Sequence, residues 1–450
     1  MNNYIIKIDT FIKNKYINTY PTELKDKVLY LIQNGKRLRP ILFLIFTGEN
    51  ELEYNLNNVN VTYINYKSKT NIIYIVAILI ELLHSLSLVL DDLPVMDDDK
   101  MRRDNPSFHI KYGIDYTNFF IYYMFKHIGL ELDNCNNFIF ENIKYKLNKK
   151  IQNQKYIELN IKIINDIQYI IKTNINYLIE GQYIDLEWNT SGNSNSDSDR
   201  DSDRDSNSDN DRDRDSDRDS NSNVVYTNTT IFSNEKDIIF ELLNIDNELI
   251  NYITTIDKIN EIELNIDLNI KKTSSLFNLS ITTGYILQLW KHNINYLNNI
   301  KYNKLYKLLS IFSNILGYMF QISDDILDSE SDKIKNKPNI CSILDKDIVN
   351  NLLKNGCKWL YDNAKLIHQL MLHDLVDQDL EKQDLEKQDL EKQLLEKAAP
   401  KQDLKNPARK YSSDDDTDDS DDDSNRNMKN ITFNLTVINE IIEKIENRIK

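Results

Sequence analysis

Residues that interrupt helices are scarce in this chain. Only 9 glycines and 7 prolines occur in 450 residues, which favours long unbroken helices over a fold of many turns. Cysteine is scarcer still: Cys135, Cys341 and Cys357 show neither metal-ligand nor disulfide spacing, which fits a reducing compartment. No Ser/His/Asp or Cys/His arrangement offers a side-chain nucleophile. The start, MNNYIIKIDTFIKNKY, lacks the charged-then-apolar order of a secretory signal. Positive charge is also short. The net charge of −16 disfavours general nucleic-acid binding, although it comes largely from two Asp-rich tracts and says little about the folded surface.

Long apolar runs are present. Residues 71–90, NIIYIVAILIELLHSLSLVL, are long enough to cross a bilayer. Glu81, His84, Ser85 and Ser87 lie inside the run and two aspartates end it. Intramembrane charge is costly, whereas the buried helix of a large bundle is apolar all round, so a core helix is expected and no transmembrane segment. Between the apolar runs lie polar tracts. Residues 191–223 are nearly pure Ser, Asp, Asn and Arg and have almost nothing to bury. Residues 376–430 hold DLEKQ repeats and then an Asp/Ser run. A five-residue period advances by about 500° on a helix, so it keeps no stripe and makes no coiled coil. Residues 49–70 are polar and rich in Asn and Tyr. After the last tract helical periodicity returns, with Ile438, Ile441, Ile442, Ile445 and Ile449 on one side. The tracts therefore read as insertions in one domain spanning 1–450.

Two acidic clusters end apolar runs. In FQISDDILD, Asp324 and Asp328 are four apart, with Asp325 between them. On a helix both project from one face, which is unfavourable unless a cation bridges them. In DDLPVMDDD, Asp91 and Asp97 are six apart, about 120° from each other on a straight helix. A bulge around Leu93-Pro94 is expected to bring them to a near-i+4 relation, because Pro94 disrupts a helix interior. Hard carboxylate oxygens gathered in this way suit Mg²⁺, and two facing clusters suit a diphosphate. Basic residues accompany them: Lys36 and Arg39 in GKRLRP, Arg102-Arg103 just after the first cluster, and Lys272-Thr273 ahead of another apolar helix.

GKRLRP, ELLHSLSLVLDDLPVMDDDKMRRDNPSFHIKYG, EGQYIDL, KKTSSLF and FQISDDILD stand in an order that resembles the trans-polyprenyl diphosphate synthases of the farnesyl and geranylgeranyl type. The six-residue Asp spacing is similar to the bacterial and plastid form of the first motif. The resemblance implies an all-α, isoprenoid-synthase-type helical bundle around a deep central cavity, with the two clusters at its mouth. It implies Mg²⁺ held by Asp91, Asp92 and Asp97, with Asp98 beside them, and by Asp324, Asp325 and Asp328. Isopentenyl diphosphate would be held by Lys36, Arg39, His84 and Arg103. The allylic diphosphate would be held by Arg102, Lys272, Thr273 and Gln321, with Lys337 a further substrate-binding match and Asp91, Asp97, Asp324, Lys272 and Arg102 central to catalysis. Gln182 and Asp185 match a pair lining the cavity. The family usually forms homodimers, and the apolar, aromatic 110–130 segment fits such a face. Cytoplasm or a plastid-type organelle is the expected location.

Leu86 stands five residues before the first motif, where in the family this chain resembles a bulky aromatic limits the product to farnesyl length. Geranylgeranyl or longer products are therefore expected, with farnesyl diphosphate as the alternative. Some positions depart from the pattern. Leu90 replaces a common His, a Gly-Asp pair is missing after Gly113, and the stretch after Asp328 is compressed to SDKIKNKPNICSIL, where Lys337 matches the last lysine. That erosion keeps open a catalytically weak modulating subunit. An acidic interaction protein acting through its polar tracts is a second alternative.

Overall fold

The computed structural model describes residues 1–14, 16–49, 69–148, 154–193, 229–243, 256–291, 300–335, 337, 339–371 and 434–448. Among them the regular structure is helical apart from one two-stranded ribbon, Met101–Arg102 paired antiparallel with Asn105–Pro106. The helices are α1 (Asn2–Asn14), α2 (Thr22–Ile32), α3 (Leu38–Phe46), α4 (Lys69–Asp91), α5 (Phe108–Tyr112), α6 (Ile114–Asn148), α7 (Gln154–Asn193), α8 (Thr229–Leu242), α9 (Ile256–Asn269), α10 (Ser275–Lys291), α11 (Ile300–Lys335) and α12 (Ile340–Ile343). A helix over 346–371, here α13, and α14 (Leu435–Asn447) complete the set. Most of the three polar tracts, 50–68, 194–223 and 376–430, lies outside the described residues. The first three residues of the second tract continue α7.

Helix α10 is the centre. Every residue from Ser275 to Trp290 is buried, as expected of a helix enclosed on all sides, and it packs against α3, α7 and α11. Helix α4 is the other enclosed element. Its span Ile72–Asp91 is apolar and long enough to cross a membrane, and 89% of the most apolar window is buried inside the protein. The core-helix expectation therefore holds. Val437, Ile438, Ile441, Ile442 and Ile445 are the buried stripe of α14, which docks on α11; Ile449 lies outside the described residues.

A seam of amides and hydroxyls runs through this apolar interior, between α10 and its neighbours. Asn278 donates to the Ser310 and Ser313 hydroxyls at 2.8 and 3.0 Å and accepts from Asn174 at 3.3 Å. Ser274 donates to the Asn314 carbonyl at 2.9 Å, and the Asn314 amide donates to the buried Glu235 carboxyl at 3.1 Å. Buried polar groups require such partners. They also fix the register of α7, α8, α10 and α11, and with it the placement of the functional ends of these helices.

Candidate active site

Helix α4 ends at Asp91, and the following residues turn back sharply. The Asp97 amide donates to the Asp91 carbonyl at 2.9 Å and the Asp98 amide to Leu93 at 3.1 Å. The bulge expected to keep Asp91 and Asp97 on one helix is thus corrected to a helix end and a tight turn. Pro94 offers no N–H and its ring clashes with a helical carbonyl, so termination wins over distortion. The two aspartates are brought together all the same. Beyond the turn the ribbon reverses at Arg103 and Asp104, whose φ values of 50° and 64° are those of a type I′ hairpin. Its first strand lays Arg102 on Asp92, with Nε at 2.8 Å, and within 3.6 Å of Asp99. Burial pushes the Asp92 carboxyl up to about 6, against the pull of Arg102.

The second motif sits on α11, with Asp324 and Asp328 a turn apart as expected. Asp324 receives Arg448, the residue that caps the end of α14, at 2.5 Å; Arg448 also donates to the Ser323 hydroxyl at 3.2 Å and lies over the Phe320 ring. Asp325 is buried and turned to protein partners: Gln321 donates to it at 2.9 Å and the Ile340 amide at 3.2 Å. Burial pushes its carboxyl up to about 7. Lys337, just past α11, reaches the first motif, 2.7 Å from Asp97 and 3.8 Å from Asp99. Lys337 therefore ties the first acidic cluster to the segment that follows the second.

Lys272 and Thr273 lie on a π-helical turn, Ile270–Ser274, inserted between α9 and α10. Such turns often occur at functional sites. Here neighbouring lysines reach different partners. Lys271 pairs with Glu180 at 3.0 Å, while Lys272 sits between Asp91, at 3.0 Å, and Asp185 of α7. Burial works against the Lys272 charge, but the two carboxylates more than offset it and hold the ammonium above its ordinary range. Thr273 donates to Gln321 at 3.0 Å, joining this turn to the second motif. Two helical glycines clamp the turn: a Cβ on Gly181 of α7 would lie 2.7 Å from the Lys272 Cα, and one on Gly317 of α11 2.6 Å from the Ser274 Cα. The amide of Gln182, buried beside Gly181, has no hydrogen-bond partner among the described residues.

The remaining cations come from the turn between α2 and α3. Lys36 is exposed and Arg39 is buried, its guanidinium 4.7 Å over the Phe277 ring. Burial lowers Arg39 to about 10, and Asp324 is close enough to act on both residues electrostatically. Burial and the neighbouring Arg39 hold His84 well below its ordinary pKa, so it is a neutral hydrogen-bonding group. Arg103 donates to the Gln33 carbonyl at 3.2 Å, tying the ribbon to the end of α2.

Every basic residue anticipated from the sequence thus adjoins one of the two acidic motifs or the α2–α3 turn. Two residues were not anticipated. Arg448 carries no local signal, being one basic residue near a helix end, and its partner lies 125 or so positions away. Arg37 sits between Lys36 and Arg39, and only its backbone and partners distinguish it.

The polyprenyl synthetase family model matches residues 21–202. The chain is 23% identical over 321 residues to the farnesyl diphosphate synthase of Buchnera aphidicola, covering 70% of this chain and 80% of that protein. It is 29% identical over 171 residues to the geranylgeranyl diphosphate synthase of Cyanophora paradoxa, covering 37% of this chain and 44% of that one. The solved geranyltransferase of Helicobacter pylori, complexed with magnesium and isoprenyl diphosphate, aligns with a TM-score of 0.49 at 18% identity, over 84% of this chain and 94% of that one. Over these spans the chain is similar to polyprenyl synthetases and to farnesyl and geranylgeranyl diphosphate synthases.

Proposed function

We propose that this enzyme condenses isopentenyl diphosphate with an allylic diphosphate, and that its product is geranylgeranyl diphosphate or longer. One observation carries the reading: Lys337 and Lys272 tie the first acidic motif to the segment after the second motif and to Asp185. Carboxylates and cations from separate helices are thereby brought together, which suits a reaction with two diphosphates.

Magnesium fits the donor set. Asp91, Asp97, Asp324 and Asp328 offer hard oxygens from the two motifs. Asp92 and Asp325, committed to Arg102 and to Gln321 with Ile340, support their neighbours. When bound, Mg²⁺ neutralises charge on the departing diphosphate. The chain's own cations do the same from the other side: Lys272, Arg102 and Lys337 stand where the allylic diphosphate leaves, and their pre-set positions stabilise it as it separates. Lys36, Arg39 and Arg103 hold the isopentenyl diphosphate, with neutral His84 as a hydrogen-bonding neighbour. The isopentenyl double bond then attacks the allylic cation, and the tertiary cation so formed gives a proton to the departed diphosphate as the new alkene closes. Buried helix faces exclude the water that would otherwise trap the cation.

Leu86 is fully buried, flanked by Ser85 and Ser87. The lack of an aromatic there supports the longer product over farnesyl diphosphate. Lys337, engaged with Asp97, supports an active enzyme over a modulating subunit despite the compressed stretch after Asp328. Phe119, Tyr122 and Leu130 on α6, with Ile179 and Tyr183 on α7, are exposed and support a homodimer through these helices.

The test is a product assay with Mg²⁺, isopentenyl diphosphate and separate allylic primers, read by mass spectrometry. The wild-type chain is expected to give a twenty-carbon or longer diphosphate. Asp91→Asn and Asp324→Asn are expected to lose at least about 10²-fold in turnover with unchanged helical content. Comparable activity in these variants would refute the reading.

A further inference from the structure

The turn that carries Lys36 and Arg39 has an unusual backbone. Asn34 and Arg37 both have positive φ, 57° and 54°, a region that non-glycine residues enter when the surroundings compel it. At Arg37 the compelling contacts are visible. Its Nε donates to Asp9 of α1 and its Nη1 to Glu81 of α4, each at 2.9 Å. Arg37 and Glu81 are only 6% and 2% exposed. With its guanidinium committed to two carboxylates, Arg37 is poorly placed to hold a substrate anion. Gly35 fits the same arrangement, because a Cβ there would meet Glu81 Oε1 at 2.6 Å and Arg37 Nη1 closer still.

The positions of its neighbours give the contact its meaning. Arg37 fixes the conformation between Lys36 on one side and Leu38-Arg39 on the other, where α3 begins. Glu81 lies three residues before His84, so it shares that helix face. Arg103 also approaches Glu81, which acts on its charge. Arg37 and Glu81 therefore lie at the junction of the turn, α4 and the ribbon, the three elements that supply Lys36, Arg39, His84 and Arg103.

We propose that Arg37 is a positioning residue for isopentenyl diphosphate: clamped by Glu81 and Asp9, it holds the left-handed turn that presents Lys36 and Arg39 to the diphosphate. This rests on the assignment of those two residues under the proposed function. Arg37 itself touches no substrate. Its loss would spread the positions of Lys36 and Arg39, weakening one substrate's binding and leaving the allylic side, built from α7, the π turn and α11, in place.

The experiment compares Arg37→Met, Arg37→Lys, Glu81→Gln and the Arg37→Met/Glu81→Gln pair with the wild-type chain. Arg37→Met is expected to raise KM for isopentenyl diphosphate at least tenfold, with kcat and the allylic KM within about twofold. A KM effect without a kcat effect marks binding shared by ground and transition states. Arg37→Lys is expected to recover part of the loss, and the double variant to be less impaired than the sum of the singles, since each single strands one member of the buried pair and the double removes both. Unchanged KM in Arg37→Met, or equal losses for both substrates together with kcat, would overturn the proposal. Should Arg37→Met fail to fold, Arg37→Lys and Glu81→Gln give the same KM comparison. Calorimetric titration with inorganic pyrophosphate in EDTA separates this inference from the functional reading. Tenfold weaker binding in the variants than in the wild-type chain supports the clamp even without turnover, and equal binding refutes it.

Discussion

Gly181→Ala is a one-atom probe of the π turn. The added Cβ would stand 2.7 Å from the Lys272 Cα and closer still to its amide nitrogen, where ordinary contact begins at 3.4 Å. The obstacle is backbone on both sides, so no side chain can swing aside. Helix α7 and the turn must part by about 0.7 Å (3.4 less 2.7 Å) or more, and displacements near 1 Å in a catalytic array can cost about 10²-fold in rate. Overpacking of this kind also costs about 1–3 kcal/mol of stability. The expected result is a kcat lower by about 10- to 100-fold, because Lys272 and Thr273 move as a unit. The fall in melting temperature should be modest. Single-turnover product formation, monitored by mass spectrometry on protein shown to be folded by circular dichroism, gives the rate directly. A wild-type kcat in a folded but less stable Gly181→Ala protein would refute the view that the glycine positions Lys272.

Two further outcomes are expected. Arg448→Met should lower kcat/KM about tenfold, through loss of a cation at Asp324. Its effect on melting should be small, since the pair is partly exposed and such pairs contribute roughly 0–1 kcal/mol; a variant with unchanged kcat/KM would remove Arg448 from the site. Glu235 is fully buried, and burial raises its carboxyl above the ordinary range, partly countered by the Asn314 amide. A carboxyl raised in the folded state favours folding below its unfolded pKa, and that contribution is lost as pH rises through the folded value. Glu235→Gln should therefore melt higher than the wild-type chain at pH 8, with the gain shrinking toward pH 5. A gain that does not vary with pH would show that Glu235 is not the titrating group.

Much of the fold was legible because its signals are local. The apolar run ending at Asp91, the i,i+4 pair Asp324 and Asp328, and the isoleucine stripe of α14 each follow from helical periodicity alone. What escaped depends on contacts between segments far apart in the chain. The turn after Asp91 was read as a bulge because Pro94 permits either outcome, and the choice is made by the reach of the Asp97 amide to a helix-end carbonyl. The π turn leaves no mark in KKTSSLF; it is defined by Gly181 and Gly317, on two other helices. Arg448 and Arg37 each look like ordinary surface cations until Asp324 in one case, and Asp9 with Glu81 in the other, are placed beside them.

The seam of Asn174, Asn278, Ser310, Ser313 and Asn314 bears on how the chain can drift. Its interior is filled largely by isoleucine and leucine, which exchange for one another at small cost when volume is kept. Such an interior stores little information about which helix face meets which, and neutral substitution can rewrite most of it. Hydrogen bonds do not exchange so freely, because removing one partner leaves the other buried and unsatisfied. The identity of this fold is therefore held by a few amides and hydroxyls, and lineages that lose sequence similarity almost everywhere else should keep side chains of that chemistry along this line.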